Sequence, residues 1–201
     1  MAALLDHIPD RTIVVNGTQR LYFGGTAYLG LQSYSPFIEL YLENVRKLGM
    51  HYGASRKSNV KLSIYDKTEE WLGHWVGSES CITLSSGYLA AQLVVQTLAQ
   101  RGHRVIVAPN AHIALSTQNV VKTANPKDFY NSVAEALNMD STIAPAILFD
   151  NIDFSGGQFP NFEILRELPL DKIILVGDDS HGIGVVGPNG SGCYGMLKQL
   201  K

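Results

Sequence analysis

From about residue 81 onward the chain alternates short apolar runs with helical stretches, and this alternation constrains the fold more than any other feature. The apolar runs cover 81–84, 105–108, 146–149 and 172–176, while 88–100, 112 to about 121, and 161–167 carry helical spacing between them. Strands that alternate with helices predict a mostly parallel sheet with helices on both faces, because parallel neighbours can be joined only by a long crossover. In such a sheet ligands gather beyond the carboxyl ends of the strands. The chemistry is therefore sought in the polar residues that close each run.

The first part of the chain reads differently. Two β-rich runs, 12–15 and 20–23, flank Asn16-Gly17, a pair suited to a two-residue hairpin turn. Phe37, Leu40, Tyr41, Val45 and Leu48 then recur at helical spacing, with Ser35 as cap, Pro36 at the first position and Gly49 as stop. A second amphipathic helix is expected over 63–76, its face made by Ile64, Thr68, Trp71, Leu72 and Trp75, with Gly77 ending it. The expected organisation is an N-terminal arm over 1–35 and one large domain over 36–201, without repeats or a linker.

With 201 residues, 45% hydrophobic and 17% charged, the chain can bury one substantial core. A net charge of -2 and a pI near 6.3 offer no basic surface for nucleic acid or an anionic membrane, and no apolar run approaches the roughly 18 residues of a membrane helix. Cys81 and Cys193 are too few for a disulfide framework or a cysteine-rich zinc site, and the N-terminus lacks a basic stretch followed by an apolar signal core. A reducing, cytoplasmic location is expected, with small-molecule chemistry, no metal, no nucleic-acid partner and no membrane.

Four run ends carry the candidate residues. After 81–84 comes Ser85-Ser86-Gly87-Tyr88, opening a helix. A glycine in the first turn leaves backbone N–H groups uncovered at the positive end of the helix dipole, where a phosphate fits, although Ser86 also reads as an ordinary cap. After 105–108 comes His112, whose flat ring can stack on an aromatic group; taken alone it also suits a structural histidine. After 146–149 comes Asp150-Asn151 and then Ser155-Gly156-Gly157, which by itself is a turn. After 172–176 comes Asp178-Asp179-Ser180-His181-Gly182. Two carboxylates and an imidazole at a buried strand end cost free energy unless a partner compensates. A pyridinium nitrogen is such a partner, since a carboxylate beside it keeps it protonated and electron-withdrawing; a charged structural loop is the other reading.

Gly182, Gly184 and Gly187 also spell the spacing of a dinucleotide fingerprint. That fingerprint needs its glycines directly between strand and helix, whereas here Asp-Asp-Ser-His intervenes and Pro188-Asn189-Gly190 blocks a helix. The nicotinamide reading is rejected.

In this order the segments Tyr28-Leu29-Gly30-Leu31, Gly53-Ala54-Ser55-Arg56, Ser86-Gly87-Tyr88, His112 and Asp178 to Gly187 resemble the α-oxoamine synthase family of pyridoxal-phosphate (PLP) enzymes. The resemblance runs from about Tyr28 to Gly192 and implies the α/β large domain of a PLP-dependent transferase, aspartate aminotransferase-like, incomplete at its C-terminus. It implies that Ser86, Gly87 and Tyr88 hold the cofactor phosphate through backbone amides. His112 would stack on the ring, Asp178 would pair with the pyridine nitrogen, and His181 would meet the ring hydroxyl. Asp150 stands where the family has glutamate; the family's serine falls at Phe154 with Ser155 alongside; its histidine in the second helix is Tyr65; and the asparagine ahead of Tyr28 is replaced around Thr26-Ala27.

The resemblance further implies an acyltransferase that condenses an amino acid with an acyl-CoA, or an acyl carrier protein thioester, usually with loss of carbon dioxide, to give an α-amino ketone. His112, Asp178 and His181 are its candidate catalytic residues, and a homodimer is implied. A PLP-dependent aminotransferase and a non-catalytic subunit or scaffold of the same fold are the alternatives. The family's cofactor-bearing lysine is expected beyond Lys201, because Lys198 and Lys201 follow the Asp-x-x-His segment too closely. This stretch alone is expected to be inactive.

Overall fold

The computed structural model describes residues 4–118, 120–139 and 142–200. They form two compact units that divide between Leu62 and Ser63. Helix α1 (Ser35–Leu48) belongs to the first of these units.

In that unit β1 (Thr12–Val15) pairs antiparallel with β2 (Thr18–Leu21) from Thr12↔Leu21 to Val15↔Thr18. Asn16 at φ 51 and Gly17 at φ 75 supply the two left-handed residues that the tight turn needs. Helix α1 begins at Ser35, so its cap is Tyr34 and not Ser35, and Gly49 at φ 83 ends it.

The second unit starts with α2 (Ser63–Val76) and is built on four parallel strands in the order β4-β3-β5-β6. These are β3 (Val105–Val107), β4 (Val121–Lys122), β5 (Ala146–Asp150) and β6 (Ile174–Asp178). Side chains alternate between the faces, so each strand feeds two cores. On one face Val105, Val107, Ala146 and Leu148 pack with Val95 of α3 (Gly87–Gln100). On the other, Ile106, Ile147 and Phe149 pack with Phe129, Val133 and Ala136 of α4 (Pro126–Asn138). Phe129 and Phe149 are completely buried, each worth about 1.5–3 kcal/mol of apolar transfer. The expected parallel sheet covered on both faces is the one found.

Several local expectations are corrected. Residues 81–84 join no ladder among the described residues; the N–H and hydroxyl of Thr83 instead donate to Glu69 Oε1 on α2, at 2.6 and 2.7 Å. The carboxylate takes the donor that a neighbouring strand would have used. The helix expected from His112 to about Val121 is only a tight turn over Ile113–Leu115, after which the β-branched Val121 enters edge strand β4. The helix expected at 161–167 is likewise a single turn, Glu163–Leu165, that buries Leu165. Helix α4 was not expected, yet its signals are present: Asn125 Oδ1 accepts the Asp128 N–H at 2.9 Å, and Pro126 occupies the first position. Lys198 ends the short helix α5 (Tyr194–Lys198), and Lys201 lies outside the described residues.

Candidate active site

Strand alternation decides which residues can meet. Ala146 and Leu148 face α3, so Asp150, two further along β5, emerges on the same face at the carboxyl end. Ile174 and Val176 of β6 also pack on that face, which puts Asp178 there too, and register pairs it directly with Asp150. The ladder continues one step beyond, where the Asn151 N–H donates to the Asp178 carbonyl at 2.8 Å. Two carboxylates therefore stand side by side at one level of the sheet.

Their surroundings differ. The Asp150 oxygens both accept the backbone N–H of His112 at 3.2 Å. Burial is the main force lifting the Asp150 carboxyl above its ordinary range, and the neighbouring Asp178 charge adds to it. The His112 N–H and the rings of His112 and His181 pull the other way. Among the described residues both hydrogen bonds to the Asp178 carboxylate, from the Ser180 N–H at 2.9 Å and the Ser180 hydroxyl at 2.5 Å, fall on Oδ1. Its Oδ2 is available to an external donor.

The His112 ring is fixed locally. Its Nδ1 accepts the Ala114 N–H at 3.1 Å, so the neutral ring carries its proton on Nε2. Ala114 in turn accepts from Gln92 of α3 at 2.6 Å, tying the first half of that helix to the His112 turn. At the start of α3, Ser86 Oγ accepts the Leu89 N–H at 3.2 Å and its carbonyl accepts the Ala90 N–H. Gly87 and Tyr88, both exposed, open the helix with no turn ahead of them to supply carbonyls. His181 meets the Phe154 ring edge-on, with centroids 4.8 Å apart, and Phe154 rests in turn on Phe159.

Asp150, Asp178, His112 and His181 thus gather at one strand end, and the α3 N-terminus shares their face. Ser155 does not join them: it is exposed in the turn closed by the Asp153–Gln158 bridge, and its neighbour Phe154 makes the contact with His181. Sequence reasoning missed the buried Asp153, which accepts the Gly156 N–H at 2.8 Å and the Asn110 amide at 3.1 Å and so shapes both loops. Its Asp-x-x-Gly spacing was the available signal. Among the described residues no three His, Cys, Asp or Glu side chains cluster as metal ligands, and no helix is long and apolar enough to cross a membrane.

No protein-family model matches the chain. It is similar to an 8-amino-7-oxononanoate synthase of Aliivibrio fischeri, 30% identical over 187 residues that make up 90% of this chain and 49% of that protein. A Dechloromonas aromatica enzyme of the same name is 31% identical over 193 residues, 92% of this chain and 50% of its own length. Among solved structures, serine palmitoyltransferase from S. paucimobilis with a bound PLP–myriocin adduct superposes with a TM-score of 0.79 at 20% identity, over 96% of this chain and 50% of that one. An 8-amino-7-oxononanoate synthase from Francisella tularensis gives 0.63 at 18% identity over 88% and 50%. The chain spans about half the length of the curated relatives it matches. These neighbours establish the fold as the one expected, the α/β large domain of PLP-dependent transferases, and the names of relatives and neighbours alike fall within the α-oxoamine synthases that the motifs resemble.

Proposed function

We propose, for a chain whose relatives and fold are those of the α-oxoamine synthases, that it is the cofactor-binding part of a PLP-dependent acyltransferase joining an amino acid to an acyl thioester to give an α-amino ketone. The observation that carries this reading is the paired carboxylates, Asp150 and Asp178, at one level of the sheet, with the His112 backbone N–H bonded to the first and His181 three residues beyond the second.

The residues fit the cofactor. A carboxylate with one oxygen held by Ser180 and the other available offers a fixed acceptor to a protonated ring nitrogen. That positive charge would also relieve the repulsion that Asp178 exerts on Asp150. The uncovered N–H groups at the start of α3, on the same face, suit the phosphate. When bound, PLP supplies an electron sink for charge developing at the amino-acid Cα. Asp178 would hold the nitrogen's proton in place, His112 would stack its ring on the cofactor face, and His181 would donate to the ring hydroxyl. Ser155, exposed in the Asp153–Gln158 turn, is proposed only as a loop residue beside Phe154. The protein is proposed to act as a cytoplasmic homodimer on acyl-CoA or an acyl carrier protein thioester.

The test uses the full-length protein. PLP titration should develop a visible absorption band, and acyl-CoA with the correct amino acid should release free CoA. Asp178→Asn should weaken PLP binding by about 2 kcal/mol or more, the cost of removing one partner of a desolvated charge pair. Keto-acid production without CoA release would move the assignment to an aminotransferase. Absence of any cofactor band after PLP addition would remove the proposal altogether.

A further inference from the structure

The glycine-rich segment that mimics a dinucleotide fingerprint has a different purpose in the fold. Asp179 Oδ2 accepts the Cys193 N–H at 2.8 Å, while the Asp179 carbonyl accepts the N–H groups of Gly182 and Ile183 at 2.9 and 3.0 Å. A β-carbon at Gly182 would strike Asp179 Oδ1, and one at Gly192 would strike Oδ2. Gly187 is likewise closed to a side chain by the Gly192 carbonyl. Two more bonds, Gly184 N–H to the Gly190 carbonyl at 2.8 Å and Gly192 N–H to the Val186 carbonyl at 2.9 Å, fold residues 179–193 back on themselves around this one carboxylate. Trp75 of α2 ties the far tip down by donating to the Asn189 carbonyl at 3.1 Å.

The arrangement is costly. Asp179 Oδ1 is buried against Gly182 and receives no backbone N–H, and a carboxylate oxygen removed from water is retained only where something else compensates. The Cys193 thiol beside it is wholly buried and pushed up to about 12, by burial first and then by the Asp179 charge. What the loop gains is the location of residue 181, two positions after Asp179, with its ring edge-on to Phe154.

We infer that Asp179 is a positioning residue: clasped between Gly182 and Gly192 and bonded to the Cys193 N–H, its carboxylate folds the 179–193 loop that presents His181 beside Asp178. The assignment of His181 as a cofactor contact rests on the function proposed above; the placement of the loop by Asp179 does not.

Two variants of the full-length protein test it. Asp179→Asn removes the charge and puts an amide nitrogen against crowded backbone. Gly182→Ala drives a methyl onto the same carboxylate from a backbone position that needs no left-handed φ, and leaves the Asp179 charge in place. Gly195→Ala, with open space around it, is the control. In a Cys81→Ser background, both variants should label Cys193 with a thiol reagent about tenfold faster than the parent, since labelling requires local opening. Both should also move the ring-proton resonances of His181 away from their ring-current-shifted positions against Phe154, with far-UV circular dichroism unchanged. Neither readout needs bound PLP, so a protein that fails to bind PLP removes the proposed function and leaves this test standing. Unchanged labelling and unchanged His181 resonances in both variants would overturn the inference. So would loss of the far-UV spectrum in both, which would make Asp179 a support of the whole domain and not of this loop.

Discussion

The carboxyl end of β5 and β6 and the start of α3 lie on one face of the sheet but are built in opposite ways. At the strand end several carboxylates are held by the chain: Asp150 by the His112 N–H, Asp178 Oδ1 by Ser180, Asp153 by Asn110 and Gly156. At the helix start Ser86 is, among the described residues, the one polar side chain with a hydrogen bond, and Gly87 and Tyr88 lie open to solvent. The acidic side of the candidate site is organised by the protein before any ligand arrives, whereas the anion side offers backbone donors and little else. Rigid organisation is therefore expected where charge must be held at a defined point, and openness where a mobile anion can settle onto a dipole.

That contrast can be broken or sharpened by substitution. The largest effect belongs to the strand end's foundation: Phe149→Ala, one residue before Asp150, should cost about 3–5 kcal/mol in urea unfolding and take the acidic site with it. Should it cost less than a surface substitution, the acidic end does not stand on the α4 core. At the helix start the stake is smaller. Ser86→Ala should cost about 1 kcal/mol, the usual value of a lost cap, and leave the Asp150 and His112 resonances in place. Movement of those resonances would show the two regions to be one coupled structure.

The smallest effect is the pH response of Asp150. Its carboxyl is raised in the folded chain, so the fold favours the protonated form. The stability this contributes is fully present below the ordinary aspartate range and is lost as pH rises through the raised value. Asp150→Asn, which keeps an oxygen for the His112 N–H, should therefore be at least as stable as the parent at neutral pH, with the advantage vanishing in acid. A variant less stable at neutral pH would mean that the ionised Asp150 is stabilised by its neighbours and not strained by them.

Much of this was legible in the sequence, and the failures have physical causes. The hairpin at Asn16-Gly17 and helix α2 form as expected because their signals are local: a pair that accepts positive φ, and an apolar stripe ended by glycine. Helix α4 was legible but unread, although Asn125-Pro126 and the spacing of Phe129, Val133 and Ala136 carry the usual start and face. The stretch after His112 misled because its helix stops after the single turn Ile113–Leu115 and the edge of the sheet recruits Val121 into a strand. Residues 81–84 misled because their apolar pattern says strand, and only the tertiary position of Glu69 takes the Thr83 N–H. At the site, Asp150 and Asp178 were each identified alone, but their pairing depends on which strands are neighbours. No local pattern states that β5 lies between β3 and β6. The contact of Phe154 with His181 and that of Asp153 with Asn110 were hidden for the same reason, since these partners are distant in the chain.

The five-rung pairing of β5 with β6, from Ala146↔Ile174 to Asp150↔Asp178, makes assembly self-checking. A shift of β6 by a single residue would part the two acids and at the same stroke turn Leu175 away from the α4 core and Val176 out of the α3 core. Misalignment of the chemistry and exposure of oily surface are thus one error, and a chain that has buried its side chains correctly has already set the spacing of its acids.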